Sequence, residues 1–195
     1  DGFLAASDFF TLDVADFTGK AASTGEIGAF AARHAKYAGT LKIPGLARAF
    51  AVTAAQIEAL ARKYLLAGQE AGRLYRHIEA AKGRDNFITE VSMDETDQPQ
   101  TPIELFFILA ALANEQIPAQ TIAPRFTGRF NKGVDYAGDA AQFEREFNDD
   151  LCVIAFAIRE FGLPANLKLS VHSGSDKFSL YGPIRKALRA HNAGL

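Results

Sequence analysis

Four short stretches of this chain alternate apolar with polar residues, and long helical stretches separate them. That pairing limits the fold more than any other feature of the sequence. Side chains point to opposite sides along a strand, so each stretch offers two faces. In Asp8–Asp13, Thr11 and Asp13 oppose Phe10 and Leu12. In Phe87–Met93, Glu90 and Ser92, with Asp94 just beyond, oppose Phe87, Val91 and Met93. In Thr121–Phe126, Ala123 and Arg125 oppose Ile122 and Phe126, and in Leu167–His172, Lys168, Ser170 and His172 oppose Leu167, Leu169 and Val171. Each strand therefore has one apolar face and one polar face.

The segments between them read as helices. From Thr53 to Ala81, apolar residues recur at steps of three and four (Ile57, Leu60, Tyr64, Ala67, Ala71, Leu74, Ile78), with Thr53 as N-cap and Gly83 as the stop. Ile103–Ala113 follows the punctuation of Pro99 and Pro102 and reads as a buried helix. Ala140–Phe161 carries a stripe from Phe143 to Phe161 and ends at Gly162 and Pro164, and a last helix is expected near Pro183.

Strand–helix alternation calls for a parallel sheet with helices outside it. An open doubly wound sheet would bury both faces and show near-continuous apolar strands. Polar groups gathered on one face instead fit an α/β barrel of the TIM type, whose reaction site lies at the carboxyl ends of the strands. An antiparallel sheet with one solvated face gives the same alternation, but the intervening helices count against it. About four βα units are legible, so the expectation is a single domain over 1–195 forming an incomplete (β/α) barrel. Residues 17–52, rich in Ala and Gly, read as an insertion or a lid. Burying Asp13, Glu90, Asp94, Arg125 and His172 unpartnered would cost roughly several kcal/mol apiece. They are expected to pair with one another, hold a metal, or hold a polar substrate.

Composition narrows the function classes. With 195 residues, 48% hydrophobic and 23% charged, the chain is globular and long enough for a real core. A net charge of −2 gives no footprint for nucleic acid or an anionic membrane. The longest uncharged apolar run, Leu105–Ala113, is too short to span a bilayer. The single cysteine, Cys152, excludes an intrachain disulfide and a multi-cysteine zinc cluster and favours a reducing, cytoplasmic setting. Cys152 itself reads as a buried thiol, and His34, His77 and His191 as bystanders in helical or unassigned segments. Both ends read as cut, so a portion of a longer protein, or half of an assembly, is expected.

Three longer motifs go further. EVSMDET (Glu90–Thr96), FTGRFNKGVDYAGD (Phe126–Asp139) and LSVHSGSDKFSLY (Leu169–Tyr181) resemble the tagaturonate epimerase family, bacterial enzymes that interconvert D-tagaturonate and D-fructuronate. The opening FFTLDVAD (Phe9–Asp16) is similar to the same family's early strand, whereas GPIRKALRAHNAGL, after Tyr181, departs from it. Members are about twice this long, metal-dependent, and (β/α) barrels, so the resemblance implies a middle portion of such an enzyme.

The resemblance also implies a chemistry. The two uronates differ at a carbinol carbon β to both the ketone and the carboxylate, where enolisation cannot act. Retro-aldol cleavage and re-addition, or transient oxidation by a nicotinamide, remain. No GxGxxG fingerprint occurs, which counts against the nicotinamide. A retro-aldol route needs a base and an electrophile, and a divalent metal (zinc, manganese or nickel) suits the second role. His172 and Glu95 are the expected ligands, Asp13 the base or third ligand, and Asp94 a second candidate. Arg125, Arg129 and Lys132 are expected to clamp the substrate carboxylate. Asn131, Ser173, Ser175 and Thr11, with Asp176 and Lys177 in the same loop, are the other expected substrate contacts. Ion pairing among these acids and bases is the competing structural role. Two further readings stay open: a catalytically silent partial barrel that binds sugar acids or pairs with another chain, and another metal-dependent sugar isomerase or aldolase. Homo-oligomerisation is equally open.

Overall fold

The computed structural model describes residues 2–195. The chain runs through β1 (Phe9–Asp13), α1 (Thr24–Arg33), β2 (Gly39–Leu41) and β3 (Phe50–Val52). It continues through α2 (Ala54–Lys82), β4 (Ile88–Ser92), α3 (Pro102–Asn114), β5 (Thr121–Ala123), α4 (Ala140–Phe161), β6 (Lys168–Leu169) and α5 (Phe178–His191).

Local chemistry sets the helix limits. Thr53 accepts a hydrogen bond from the Gln56 N–H while the Gln56 side chain returns one to the Thr53 N–H, a capping box that starts α2; Gly83, at φ 79°, ends it. Asp139 accepts from the N–H groups of Ala141 and Gln142 to start α4, and Gly162, left-handed at φ 67°, stops it. Every residue from Leu105 to Leu112 in α3 is buried, as a helix that is apolar on all sides must be. Gly68 lets α2 approach α3: a Cβ there would lie 2.9 Å from that of Ala111.

β1, β4, β5 and β6 pair in that order, all parallel, so the strands follow one another across the sheet in chain order. The antiparallel alternative is thereby excluded. Each helix packs on the next, α1 on α2, α2 on α3, α3 on α4 and α4 on α5. The register explains the two faces. Leu12, Val91, Ile122 and Leu169 stand side by side and are buried in the core. The neighbouring row reads Thr11, Glu90, Thr121 and Lys168. Among the described residues the sheet is open, with β1 and β6 at its edges, and no closed barrel is present. Among the described residues no helix is long and apolar enough to cross a membrane.

Several expected limits shift. Strand pairing stops at Ala123 and at Leu169, short of Arg125 and His172, so the polar groups sit in loops just beyond the strands. Pro124, which has no N–H to donate, helps end β5. The last helix begins at Phe178 and carries Pro183 inside it. Residues 17–52 hold α1 and the antiparallel β2–β3 pair, and Ile27, Phe30, Tyr37, Leu41, Ile43 and Val52 join the core. Cys152 is buried, as expected.

Candidate functional site

The site is built on Glu90. β4 carries this carboxylate between two hydroxyl-bearing neighbours in register, Thr11 on β1 and Thr121 on β5. Thr11 donates to Oε1 at 2.9 Å and Thr121 to Oε2 at 3.0 Å. The loop after β6 then brings His172 over the same group, Nε2 lying 2.8 Å from Oε1. The other ring nitrogen, Nδ1, lies 3.0 Å from Oδ1 of Asp94, which also accepts from the Ser92 hydroxyl. One imidazole is thus gripped by two carboxylates from one strand and the loop that follows it.

That geometry fixes the charges. An imidazole can donate from both nitrogens only as the cation. Hydrogen bonding to Asp94, then to Glu90, outweighs burial and raises the His172 pKa from 6.5 to about 10. Burial pushes Glu90 up, but hydrogen bonds from His172, Ser170 and Thr11 overcome it and hold the carboxyl at about 2. Asp94 behaves alike: burial raises it, and bonds from His172 and Ser92 bring it below the ordinary carboxylate value.

Above this triad lies a cavity of about 810 Å³. Asp94, Glu95, Arg125, Arg129, Asn131, Lys132, His172 and Ser173 all line it, so eight of the expected site residues share one space. Arg125 donates from Nη1 to the Asp94 carbonyl at 3.1 Å, while Glu95, Arg129, Asn131 and Lys132 are exposed on the rim. Ser173, left-handed at φ 54°, turns the chain away after His172.

The other expected residues lie elsewhere. Lys177 is fully buried and its Nζ donates to the carbonyls of Asn131 (2.8 Å) and Val134 (2.7 Å), which corrects the expectation that it meets substrate. Asp176 accepts from the Gly133 N–H at 2.8 Å. Ser175 lines a second cavity, with Tyr181 and Ile184. Asp13 is exposed at the end of β1, accepts from the Ala15 N–H at 3.1 Å, and is not among the residues lining the first cavity. Thr11 meets the site only through Glu90.

Glu90 was expected at the site without a role of its own, and Gln100 was not expected there. Glu90 stands on the polar strand face, and its parity with Ser92 and Asp94 was the available signal. Gln100 is buried, donates to the Met93 carbonyl (3.3 Å) and the Thr96 hydroxyl (2.8 Å), and accepts from the Arg125 N–H (2.5 Å). It pins the loop after β4 to the loop after β5, and nothing in its sequence context marks it.

The donor set tests whether a metal fits. Two carboxylates around one imidazole supply N and O ligands with negative charge in excess, which suits a divalent cation. The spacing is that of hydrogen bonds, however: donors on a tetrahedral zinc stand about 3.4 Å apart, against 2.8 and 3.0 Å here. Among the described residues no three His, Cys, Asp or Glu groups are placed to hold an ion. The ligand types fit, and the described set is incomplete.

Comparison with known proteins agrees with the motifs. The family model for tagaturonate epimerase matches residues 26–192. A tagaturonate/fructuronate epimerase of Thermotoga maritima is 43% identical over 102 residues, 52% of this chain and 20% of that protein. The crystal structure of fructuronate-tagaturonate epimerase from Cohnella laeviribosi with one glycerol superposes with a TM-score of 0.73 at 28% identity, over 97% of this chain and 39% of that one. Its native form gives 0.66 at 25% identity, over 97% and 39%. The chain therefore spans between a fifth and two fifths of the length of these relatives. On the match across residues 26–192, the chain belongs to the tagaturonate epimerase family.

Proposed function

We propose that this chain supplies part of the active site of an enzyme that interconverts D-tagaturonate and D-fructuronate by retro-aldol and aldol steps. One observation carries the reading: the Glu90–His172–Asp94 triad lies beneath a cavity rimmed by Arg125, Arg129 and Lys132. Three cations suit a substrate carboxylate, and Asn131 and Ser173 suit its hydroxyls.

In the first step the hydroxyl on the inverting carbon loses its proton and becomes an aldehyde. The bond to the carbon beside the ketone breaks, and its electron pair passes into an enediolate. The aldehyde turns, and the enediolate re-adds to its other face as the proton returns to the new alkoxide. Asp94, held ionised and half-buried on the cavity wall, is the base. His172 holds a proton facing it and steadies the charge on that carboxylate. Asp13, at the end of the neighbouring strand, is a second base candidate that substrate must reach from the β1 side. When bound, a zinc, manganese or nickel ion polarises the ketone oxygen. To hold it, His172 would give up the proton it shares with Glu90 and bind through Nε2 together with Glu95, leaving Asp94 as the base, and further ligands would come from outside this chain.

The fold reading follows the same lines. Consecutive parallel strands with helices packed in sequence match half of a (β/α) barrel. Phe9 and Ile88, paired in register, are 50% and 45% exposed at the amino end of the polar face. An apolar pair in that place suits the lower layer of a barrel interior closed by further strands. This favours a second reading in which the chain binds sugar acids but turns them over only with a complementing chain.

The test is direct. The purified chain is incubated with D-tagaturonate, with and without added zinc, manganese or nickel, and D-fructuronate is followed by chromatography beside His172→Ala. Product that depends on metal and on His172 is expected. Binding without product selects the second reading, and a preference for neutral ketoses over both uronates overturns both. Equal metal content in the wild type and in His172→Ala would remove the ligand assignment.

A further inference from the structure

Lys177 is the one lysine among the fully buried side chains of the described residues, and its ammonium is spent on two main-chain carbonyls. Placing an ammonium out of water costs several kcal/mol unless its donors are satisfied, so this side chain marks a segment whose position is tightly specified. The segment runs from Asn131 to Val134. Asp176, the residue before Lys177, takes the Gly133 N–H in the middle of it. Ammonium and carboxylate together therefore fix two carbonyls and one N–H of the same short loop. Arg129 and Lys132 on this loop edge the cavity, and His172 lies one turn before the anchor in the chain.

We propose that Lys177 is a positioning residue that holds the cationic loop at a set distance from His172 and so makes the cavity select carboxylate-bearing ketoses over neutral ones. The inference rests on the sugar-acid reading above. It makes the loop a built platform whose placement depends on a side chain that never touches substrate. Surface lysines on a free loop would attract any anion weakly and without geometry. Fixed cations facing a second fixed group reward only a substrate whose charged end and reacting end are correctly separated.

The experiment uses the full chain and three proteins: wild type, Lys177→Met and Asp176→Asn. Dissociation constants for D-tagaturonate and for neutral D-tagatose are measured by calorimetry, and amide hydrogen exchange of residues 129–136 is followed without ligand. Wild type is expected to favour D-tagaturonate. In Lys177→Met that affinity falls roughly tenfold, tagatose binding stays within about twofold, and exchange in the loop rises. Asp176→Asn, which keeps the ammonium, moves the same readouts less and answers the question if Lys177→Met does not fold. Equal losses for both sugars, or unchanged selectivity with a loosened loop, overturn the positioning role. A wild type with no preference for the acid overturns the sugar-acid reading itself, a result distinct from the other two.

Discussion

His172 and His34 are the same side chain in two settings, and burial leaves the first charged and the second neutral. His34 is 4% exposed, its ring centre 4.4 Å from that of Phe30 and 6.1 Å from that of Tyr37, with the edges of Phe107 and Phe161 closing the cage. Burial, then the charges of Arg33 and Lys36, drive its pKa down to about 4. His172 has lost water too, but carboxylates replace it, and its pKa rises to about 10. The acids repeat the contrast. Glu90 stays ionised at the strand ends, whereas burial in α4, then the nearby charges of Glu146 and Asp149, raises Asp150 well above the usual carboxylate value. His34 and Asp150 in the helix layer shed their charge, whereas the strand mouth, like Glu104 of α3 beside Lys63, keeps charge by pairing it. Burial alone does not mark a site; compensated burial does.

The comparison breaks most visibly at Glu90. Glu90→Ala strands the hydroxyls of Thr11 and Thr121 and leaves His172 one carboxylate instead of two. A loss of about 3–5 kcal/mol in urea unfolding is expected from removing one partner of a buried charged pair. The His172 pKa, followed by NMR, should fall toward 6.5. A titration still centred near 10 would mean that the strand mouth does not hold the cation by pairing.

The next effect is on pH. The folded pKa of His172 lies above its ordinary 6.5, so its contribution is complete below pH 6.5 and is lost as pH rises toward about 10. His34 lies below 6.5, so its contribution is present above pH 6.5 and is lost as pH falls toward about 4. Glu90 adds a further acid loss between 4.5 and about 2. The two histidines together favour a maximum near pH 6.5, one acting on each side, while the raised Asp150 works against the acid limb as pH climbs past 3.8. Each limb is worth about 2 kcal/mol once solvent screening of the part-exposed His172 is allowed for. Denaturant midpoints across pH 4–10 in His172→Gln should flatten the alkaline limb alone, and His34→Phe the acid limb down to pH 4. Flattening of the same limb by both would erase the contrast.

Much of this was legible in the chain. The span Ala140–Phe161, the Thr53 cap and the Gly83 stop follow from local hydrogen bonding, which sequence encodes directly. A capping box at Ser23 and Glu26 marks α1 just as openly within a stretch that composition left unassigned. The polar strand face also followed from parity, and three of its members, Glu90, Asp94 and His172, pair with one another, whereas Asp13 stays exposed. The partners were harder. Which acid faces His172 depends on the register of β4 against β1 and β5 and on where two loops diverge, distances of 78 and 82 residues along the chain. Asp94 and Glu90 fill that role, whereas Glu95, one residue on, faces open solvent on the rim. Lys177 escaped for the same reason, since a lysine in a polar loop gives no sign that it is the buried anchor of another loop.

Asp150 gives the finest test of the helix layer. Its side chain is buried on α4 with Glu146 and Asp149 nearby, and each of those charges makes ionisation harder. Burial therefore favours the protonated, neutral acid in the folded chain, and Asn matches its size and its polar atoms. Asp150→Asn should raise stability at pH 7, because the unfolded chain no longer gains by ionising there. The gain should shrink to nothing as pH falls below the ordinary aspartate value of 3.8, where folded and unfolded chains are both protonated. A substantial loss at pH 7 in thermal or urea unfolding would show an ionised, paired Asp150. Charge would then be kept in the helix layer by the same device as at the strand ends, and the difference between His34 and His172 would be local to the two rings.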